Sequence, residues 1–331
     1  MKLIDNFNRI HDYVRISLID KCNLNCIYCN PSNTLAKFES NKSILSYEEL
    51  FRLIRILVRD LEVKKIRFTG GEPLIRKDVM KFFEMIYPLK NKYELEIGIT
   101  TNGTNLLDKL ESLHSSGVDL LNISLDTLSK SKFIAITGKD FFDETISAIH
   151  KAVQLGFKSV KINTVVIKNI NDDELINFVD YFKSYPVTLR FIEYMPFTGN
   201  QWDDSKFLGW NEIKSEIERK YLLTEIQSDG KISKYYFVEN TILKVGFISS
   251  ISDHFCDSCN RLRITATGQI KNCLFSNPSN VSLKTLLADE TISDEIIAEF
   301  IQNSLQTKWQ KHPNVDELAT LNQNNMMSIG G

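Results

Sequence analysis

Six cysteines in two groups of three carry the metal chemistry open to this sequence of 331 residues. Cys22, Cys26 and Cys29 stand in the order C-x-x-x-C-x-x-C, and Cys256, Cys259 and Cys273 form the second group. A loop bearing three thiols can wrap one metal centre, because each Sγ reaches only a short way from its own backbone. Three thiolates around a cubane of four irons leave one iron without a protein ligand, and chemistry can happen there. A structural zinc site wants four ligands, and no fourth Cys or His lies near the first group, so its spacing favours iron–sulfur over zinc or over unrelated buried thiols. In the second group His254 could complete a zinc knuckle, or it could be a packing or surface residue. Three-cysteine ligation would leave a second open iron there. Arg261 and Arg263, two apart on a strand-like run, would face one side and could meet anionic oxygens. A disulfide framework is disfavoured, since nothing suggests secretion.

The elements that must position these groups alternate. Tyr13 to Asp20 reads as a strand leading into the first cysteines. Ser46-Tyr47-Glu48-Glu49 is a capping box that opens a helix with an apolar face through Leu50, Leu53, Ile54 and Leu57. Strands are predicted at Lys65–Thr69, Leu95–Thr100, Leu120–Leu125, Val160–Val166 and Val187–Ile192, with helical periodicity between them. Six βα units in series predict an α/β fold with parallel strands and right-handed crossovers. Six is short of eight, so an open or partial barrel is expected. In such a barrel the working groups gather at the C-terminal ends of the strands. Those ends carry the first cysteines, Thr69-Gly70-Gly71-Glu72-Pro73, Thr100-Thr101-Asn102-Gly103, Ser124-Leu125-Asp126 and Glu193-Tyr194-Met195. Gly70-Gly71 would let backbone approach a ligand closely. Arg15, Lys65, Arg67, Lys161 and Arg190 lie on four of the strands; Lys and Arg are rarely buried unless paired, so together they suggest a polyanionic ligand, phosphates first. The pattern changes after Pro196, dividing the chain into a barrel at 1–196 and a C-terminal part at 197–331.

Apolar residues make up 43% and charged residues 25% of the chain, and the formal charge is −2. That balance suits a globular protein with a sizeable core and argues against one that coats nucleic acid. The N-terminus is too polar for a signal peptide, and no apolar run approaches the roughly 20 residues of a membrane span. A cytoplasmic protein is expected.

The C-x-x-x-C-x-x-C loop together with Gly70-Gly71-Glu72-Pro73 resembles the radical S-adenosylmethionine (SAM) enzymes over residues 13–195. Phe247-Ile248-Ser249-Ser250, the run C-x-x-C-N-R-L-R, Cys273-Leu274 and the terminal Met327-Ser328-Ile329-Gly330-Gly331 resemble one family among them, the GTP 3′,8-cyclases of molybdenum cofactor biosynthesis. The resemblance then covers nearly the whole chain. It implies a partial (β/α)6 TIM-type barrel whose mouth is closed by a C-terminal α+β extension. It implies two 4Fe–4S clusters, on Cys22, Cys26 and Cys29 and on Cys256, Cys259 and Cys273, and a SAM site lined by Tyr28, Gly71, Ser124 and Met195. Arg15, Lys65, Arg67, Thr100, Lys161, Arg190, Arg261 and Arg263 would bind GTP, and Gly330 and Gly331 would serve catalysis. The implied reaction is radical cyclisation: a 5′-deoxyadenosyl radical takes hydrogen from ribose carbon 3′, which then bonds to guanine carbon 8. An external electron donor is implied, as is a next enzyme, cyclic pyranopterin synthase, that receives the product. A homodimer is left open, and neither nucleic acid nor membrane is expected. A peptide-modifying radical SAM enzyme would lack the polyphosphate site; a structural zinc protein would lack iron.

Overall fold

The computed structural model describes residues 1–29, 43–227, 233–320 and 326. Its strands are β1 (Tyr13–Ser17), β2 (Lys65–Thr69), β3 (Glu96–Thr101), β4 (Leu120–Ser124), β5 (Ser159–Val166), β6 (Thr188–Glu193), β7 (Leu223–Ile226), β8 (Lys234–Val238), β9 (Lys244–Ile248), β10 (Arg261–Ile264) and β11 (Ile270–Lys271). They form one sheet in the order β11-β10-β1-β2-β3-β4-β5-β6-β9-β8-β7. The expected series β1 to β6 pairs in parallel, neighbour to neighbour. Among the described residues β11 and β7 are free edges, so the sheet is a partial barrel. The C-terminal part extends it on both sides: β10 lies parallel to β1 and β9 parallel to β6. The division drawn after residue 196 therefore falls within one continuous sheet.

Helices α1 (Tyr47–Arg59), α2 (Val79–Tyr93), α3 (Leu110–Ser115), α4 (Lys130–Thr137), α5 (Phe142–Gln154), α6 (Leu175–Phe182) and α7 (Trp210–Glu218) follow the strands, with α8 (Leu283–Ala288), α9 (Asp294–Ser304) and α10 (Val315–Thr320) near the C-terminus. The Ser46–Glu49 capping box is present at α1, whose Leu50, Leu53, Ile54 and Leu57 are buried. Strand parity does the rest. Val14 and Ile16, Ile66 and Phe68, and Val160 and Ile162 belong to the apolar core. The alternate residues, Arg15, Arg67 and Lys161, line the inner cavity instead. Period two thus separates an oily outer face from a charged lumen. The sequence reading has no counterpart for α4, α10, β7 or β11.

Candidate active site

The first cysteine loop follows β1 and is held by its neighbours. Gly71 N–H donates to Ile19 O at 2.8 Å and Glu72 N–H to Lys21 O at 2.8 Å. A Cβ on Gly71 would lie 2.2 Å from Lys21 O and 2.9 Å from Cys22 N. The two glycines thus serve first to seat this loop. Glu72 is fully buried and accepts from Leu74 N at 3.0 Å, Thr101 Oγ1 at 2.8 Å and Asn102 N at 2.7 Å. Asn102 in turn donates to Asn23 Oδ1 at 2.9 Å and Cys22 Sγ at 3.6 Å. On the far side α4 accepts from Asn25 N at Thr137 O and from Ile27 N at Ile136 O, at 2.9 and 3.0 Å. Tyr28 OH donates to Asp126 Oδ2 at 2.7 Å, and Asp126 Oδ1 accepts from Val165 N at 2.9 Å.

The three thiols meet in one cavity of about 200 Å³, which Tyr28, Gly71, Ser124 and Met195 also line. Burial pushes Cys22 up to about 11 and Cys29 up to about 12. Cys26 is raised by burial first, then by Asp126 and by the charges of Cys29 and Cys22. Thiols that feel one another this way ionise only with a cationic centre between them. Three thiols on one buried cavity, with room beside them, are a donor set that would suit a 4Fe–4S cluster with one open iron.

Below lies a larger cavity of about 540 Å³ lined by Arg15, Lys65, Arg67, Lys161, Arg190 and Arg261, with Tyr13 and Tyr235 among them. Arg15, Arg190 and Arg261 line both cavities, so the two spaces adjoin. Strand register sets Lys271, Arg263, Arg15 and Arg67 in one row across β11, β10, β1 and β2. Like charges directly opposite on neighbouring strands are destabilising. Gly98 makes room for one of them: a Cβ there would lie 2.8 Å from Arg67 Cζ. Burial, with Arg67 and Arg15 beside Arg190 and Arg15 beside Arg261, lowers both guanidinium groups to about 10. Among the described residues Arg15 Nε, Arg261 Nε, Thr100 Oγ1 and Lys271 Nζ are buried without a hydrogen-bond partner. A lumen so lined would attract anions. Lys65 is paired with Glu96 at 2.5 Å, which places it at the wall with its charge partly spoken for.

Cys256, Cys259 and Cys273 line a third cavity, of about 60 Å³, together with Arg261 and Arg263. His254 is exposed at its rim and packs edge-on against His312, with ring centroids 5.4 Å apart. Burial raises Cys256. Burial also pushes Cys259 upward, but Lys308, then Arg261 and Arg9, outweigh it and the net shift is down. All the cysteine, SAM-site and cation positions singled out from sequence therefore line this connected system. Gly330 and Gly331 lie outside the described residues. Reading by sequence missed Glu72 as the brace of the loop, Asp126 as the partner of Tyr28, Tyr235 in the lumen and Lys271 opposite Arg263. Glu72 and Asp126 stand at strand ends where such groups are expected. Lys271 and Tyr235 depend on strands whose pairing no local pattern reveals.

Comparison with known proteins agrees with this geometry. Residues 16–182 match the Radical SAM superfamily and residues 187–314 match Molybdenum Cofactor Synthesis C. "GTP 3',8-cyclase" of Syntrophomonas wolfei is 39% identical over 99% of this chain and all of its own length. "Molybdenum cofactor biosynthesis protein 1" of Dictyostelium discoideum is 44% identical over 99% of this chain, which spans about half (52%) of that relative. Among solved structures, Streptococcus suis SuiB bound to S-adenosylmethionine superposes with a TM-score of 0.63 at 16% identity, covering 95% of this chain and 79% of that one. That likeness bears on the fold.

Proposed function

The chain belongs to the radical SAM superfamily and, within it, to the family of GTP 3′,8-cyclases, and from that premise we propose that it cyclises GTP to 3′,8-cyclo-7,8-dihydro-GTP for molybdenum cofactor biosynthesis. One observation carries the reading: a cation-lined lumen adjoins two triplets of thiols, each one ligand short of four. Cys22, Cys26 and Cys29 would hold the SAM-binding cluster, and Cys256, Cys259 and Cys273 the second. When bound, the first cluster and SAM supply a 5′-deoxyadenosyl radical.

The residues of the chain bind and orient. Tyr28, Gly71, Ser124 and Met195 line the space beside the first triplet, where SAM would lie. Arg15, Lys65, Arg67, Lys161, Arg190, Arg261 and Arg263, with Thr100, would grip GTP, chiefly at the triphosphate, and the phosphates would relieve the repulsion along the row of cations. Holding base and phosphates at opposite ends pins the ribose near the first site, an advantage that positioning alone can make large. The C-terminal part, through β9 and β10, would exclude water and oxygen from the mouth. Gly330 and Gly331 would assist turnover. An external one-electron donor would reduce the clusters, and cyclic pyranopterin synthase would take the product. No described helix is long and apolar enough to cross a membrane, and thiols that must stay reduced suit the cytoplasm.

Anaerobic protein given GTP, SAM and reductant should yield 5′-deoxyadenosine and a cyclised nucleotide. Lack of any measurable GTP affinity would sink this reading.

A further inference from the structure

Two buried cations from opposite ends of the chain clasp the second thiol triplet. From the N-terminal segment, Arg9 donates to the carbonyl oxygens of Cys256 at 2.7 Å, Trp309 at 2.7 Å and Gln310 at 2.9 Å. Its Nε is held by Asp5 at 2.6 Å, and Asp5 also meets the buried His11 at 3.0 Å. Near the C-terminus, Lys308 Nζ donates to Arg261 O at 3.1 Å and to Asn272 O. Those carbonyls stand just after Cys259 and just before Cys273. Between them the two side chains reach all three cysteine segments.

The two cations differ in how their charge is balanced. Arg9 is ion-paired with Asp5. Lys308 is only 5% exposed, yet both of its hydrogen bonds among the described residues go to neutral carbonyls. A buried ammonium without a counter-ion is strongly disfavoured. Burial holds Lys308 below the ordinary lysine range, and the thiols of Cys259 and Cys273 oppose that more than Asp5 does. A cubane on three thiolates is an anion, and it gains one more negative charge on reduction.

We propose that Lys308 is the counter-ion of the second cluster, a positioning residue that ties down two of its cysteine segments and favours its reduced state. The proposal rests on the two-cluster reading above. The step concerned is one-electron reduction of the cluster by a low-potential donor such as dithionite. No covalent bond forms or breaks, and the added electron places negative charge beside a fixed ammonium in a medium of low dielectric.

The test uses full-length protein, loaded anaerobically, with Cys22, Cys26 and Cys29 changed to Ser so that the second cluster is read alone. In that background Lys308→Met should keep its iron, while its reduced-to-oxidised ratio at fixed potential falls at least tenfold. For a one-electron couple that is a midpoint about 59 mV more negative by redox titration with an electron paramagnetic resonance readout. Lys308→Arg should restore the midpoint. Loss of iron in Lys308→Met but not in Lys308→Arg also supports the assignment, because Arg keeps the charge and the N–H donors to both carbonyls and Met keeps neither. Loss in both, or an unmoved midpoint in Lys308→Met, overturns it. No iron at all in the triple-serine parent would overturn it together with the two-cluster reading.

Discussion

Gly71→Ala is expected to strip the first metal site while leaving the fold standing. The added Cβ would lie 2.2 Å from Lys21 O, 2.4 Å from Lys21 C and 2.9 Å from Cys22 N, all backbone atoms. Backbone cannot swing aside as a flexible side chain can. Overpacking of this kind costs about 1–3 kcal/mol. Separating the segments would also break the bonds from Gly71 N to Ile19 O and Glu72 N to Lys21 O, about 0.5–1.5 kcal/mol each. The sum, about 2–6 kcal/mol, is a sizeable fraction of the roughly 5–15 kcal/mol that holds a domain together. It is relieved most easily by moving the cysteine loop, whose geometry the cluster needs. Gly156→Ala is the control. Unlike Gly71 it has a positive φ, +71°, but nothing lies within 4 Å of its added Cβ, so about 1 kcal/mol of backbone strain is all it should cost. The assay is iron per chain after anaerobic loading, with thermal unfolding alongside. Gly71→Ala should lose about four irons and its SAM affinity, whereas Gly156→Ala should keep both. A Gly71→Ala protein with full iron and normal SAM binding would refute the view that this close approach sets the loop.

Arg263→Ala should weaken GTP binding about ten- to hundredfold, from the 1.5–3 kcal/mol of a charge-assisted contact, with both complements of iron retained; iron loss at unchanged affinity would reverse its role. Tyr28→Phe removes the 2.7 Å bond to Asp126 and should lower SAM affinity in an equilibrium binding assay without loss of iron, and unaltered affinity would release Tyr28 from that site. Burial pushes Glu72 up to about 7 from an ordinary 4.5, so between those values the metal-free fold holds a proton that the unfolded chain has released. Stability should therefore fall as pH rises through that window and level off above it. Burial also pushes Asp126 up to about 6, so Glu72→Gln should flatten chiefly the limb above about 6 in a pH series of urea midpoints; an unchanged limb would clear Glu72. Removing Gly330-Gly331 should cut turnover while iron content and the unfolding midpoint stay unchanged, and full turnover would release the pair from that role.

Much of this arrangement can be read from sequence because its rules are local. Six strands and most of the helices between them follow from periodicity, and the Ser46–Glu49 cap from two side chains three residues apart. Cys22, Cys26 and Cys29 declare themselves by spacing. The cations on β1, β2, β5 and β6 do so by breaking an otherwise apolar pattern. What escapes is long-range. That β10 pairs with β1, putting Arg263 beside Arg15, depends on contacts nearly 250 residues apart, and no window along the chain contains both. The apolar residues of α4 do not fall on one stripe of the helix, yet its carbonyls hold the first cysteine loop. Glu72 looks like part of a turn until its three hydrogen bonds reveal a brace between strand ends. Lys308 lies at the end of a helical run and reads as surface charge; only the fold buries it behind the second triplet.

The account stands or falls on where one hydrogen atom goes. Anaerobic turnover with GTP deuterated at ribose carbon 3′, followed by mass spectrometry of the nucleosides, tests it most directly. Deuterium should appear in 5′-deoxyadenosine, in step with a cyclised nucleotide that has lost it from carbon 3′. Unlabelled 5′-deoxyadenosine, or intact GTP beside consumed SAM, would contradict the proposed placement of the ribose between the two metal sites.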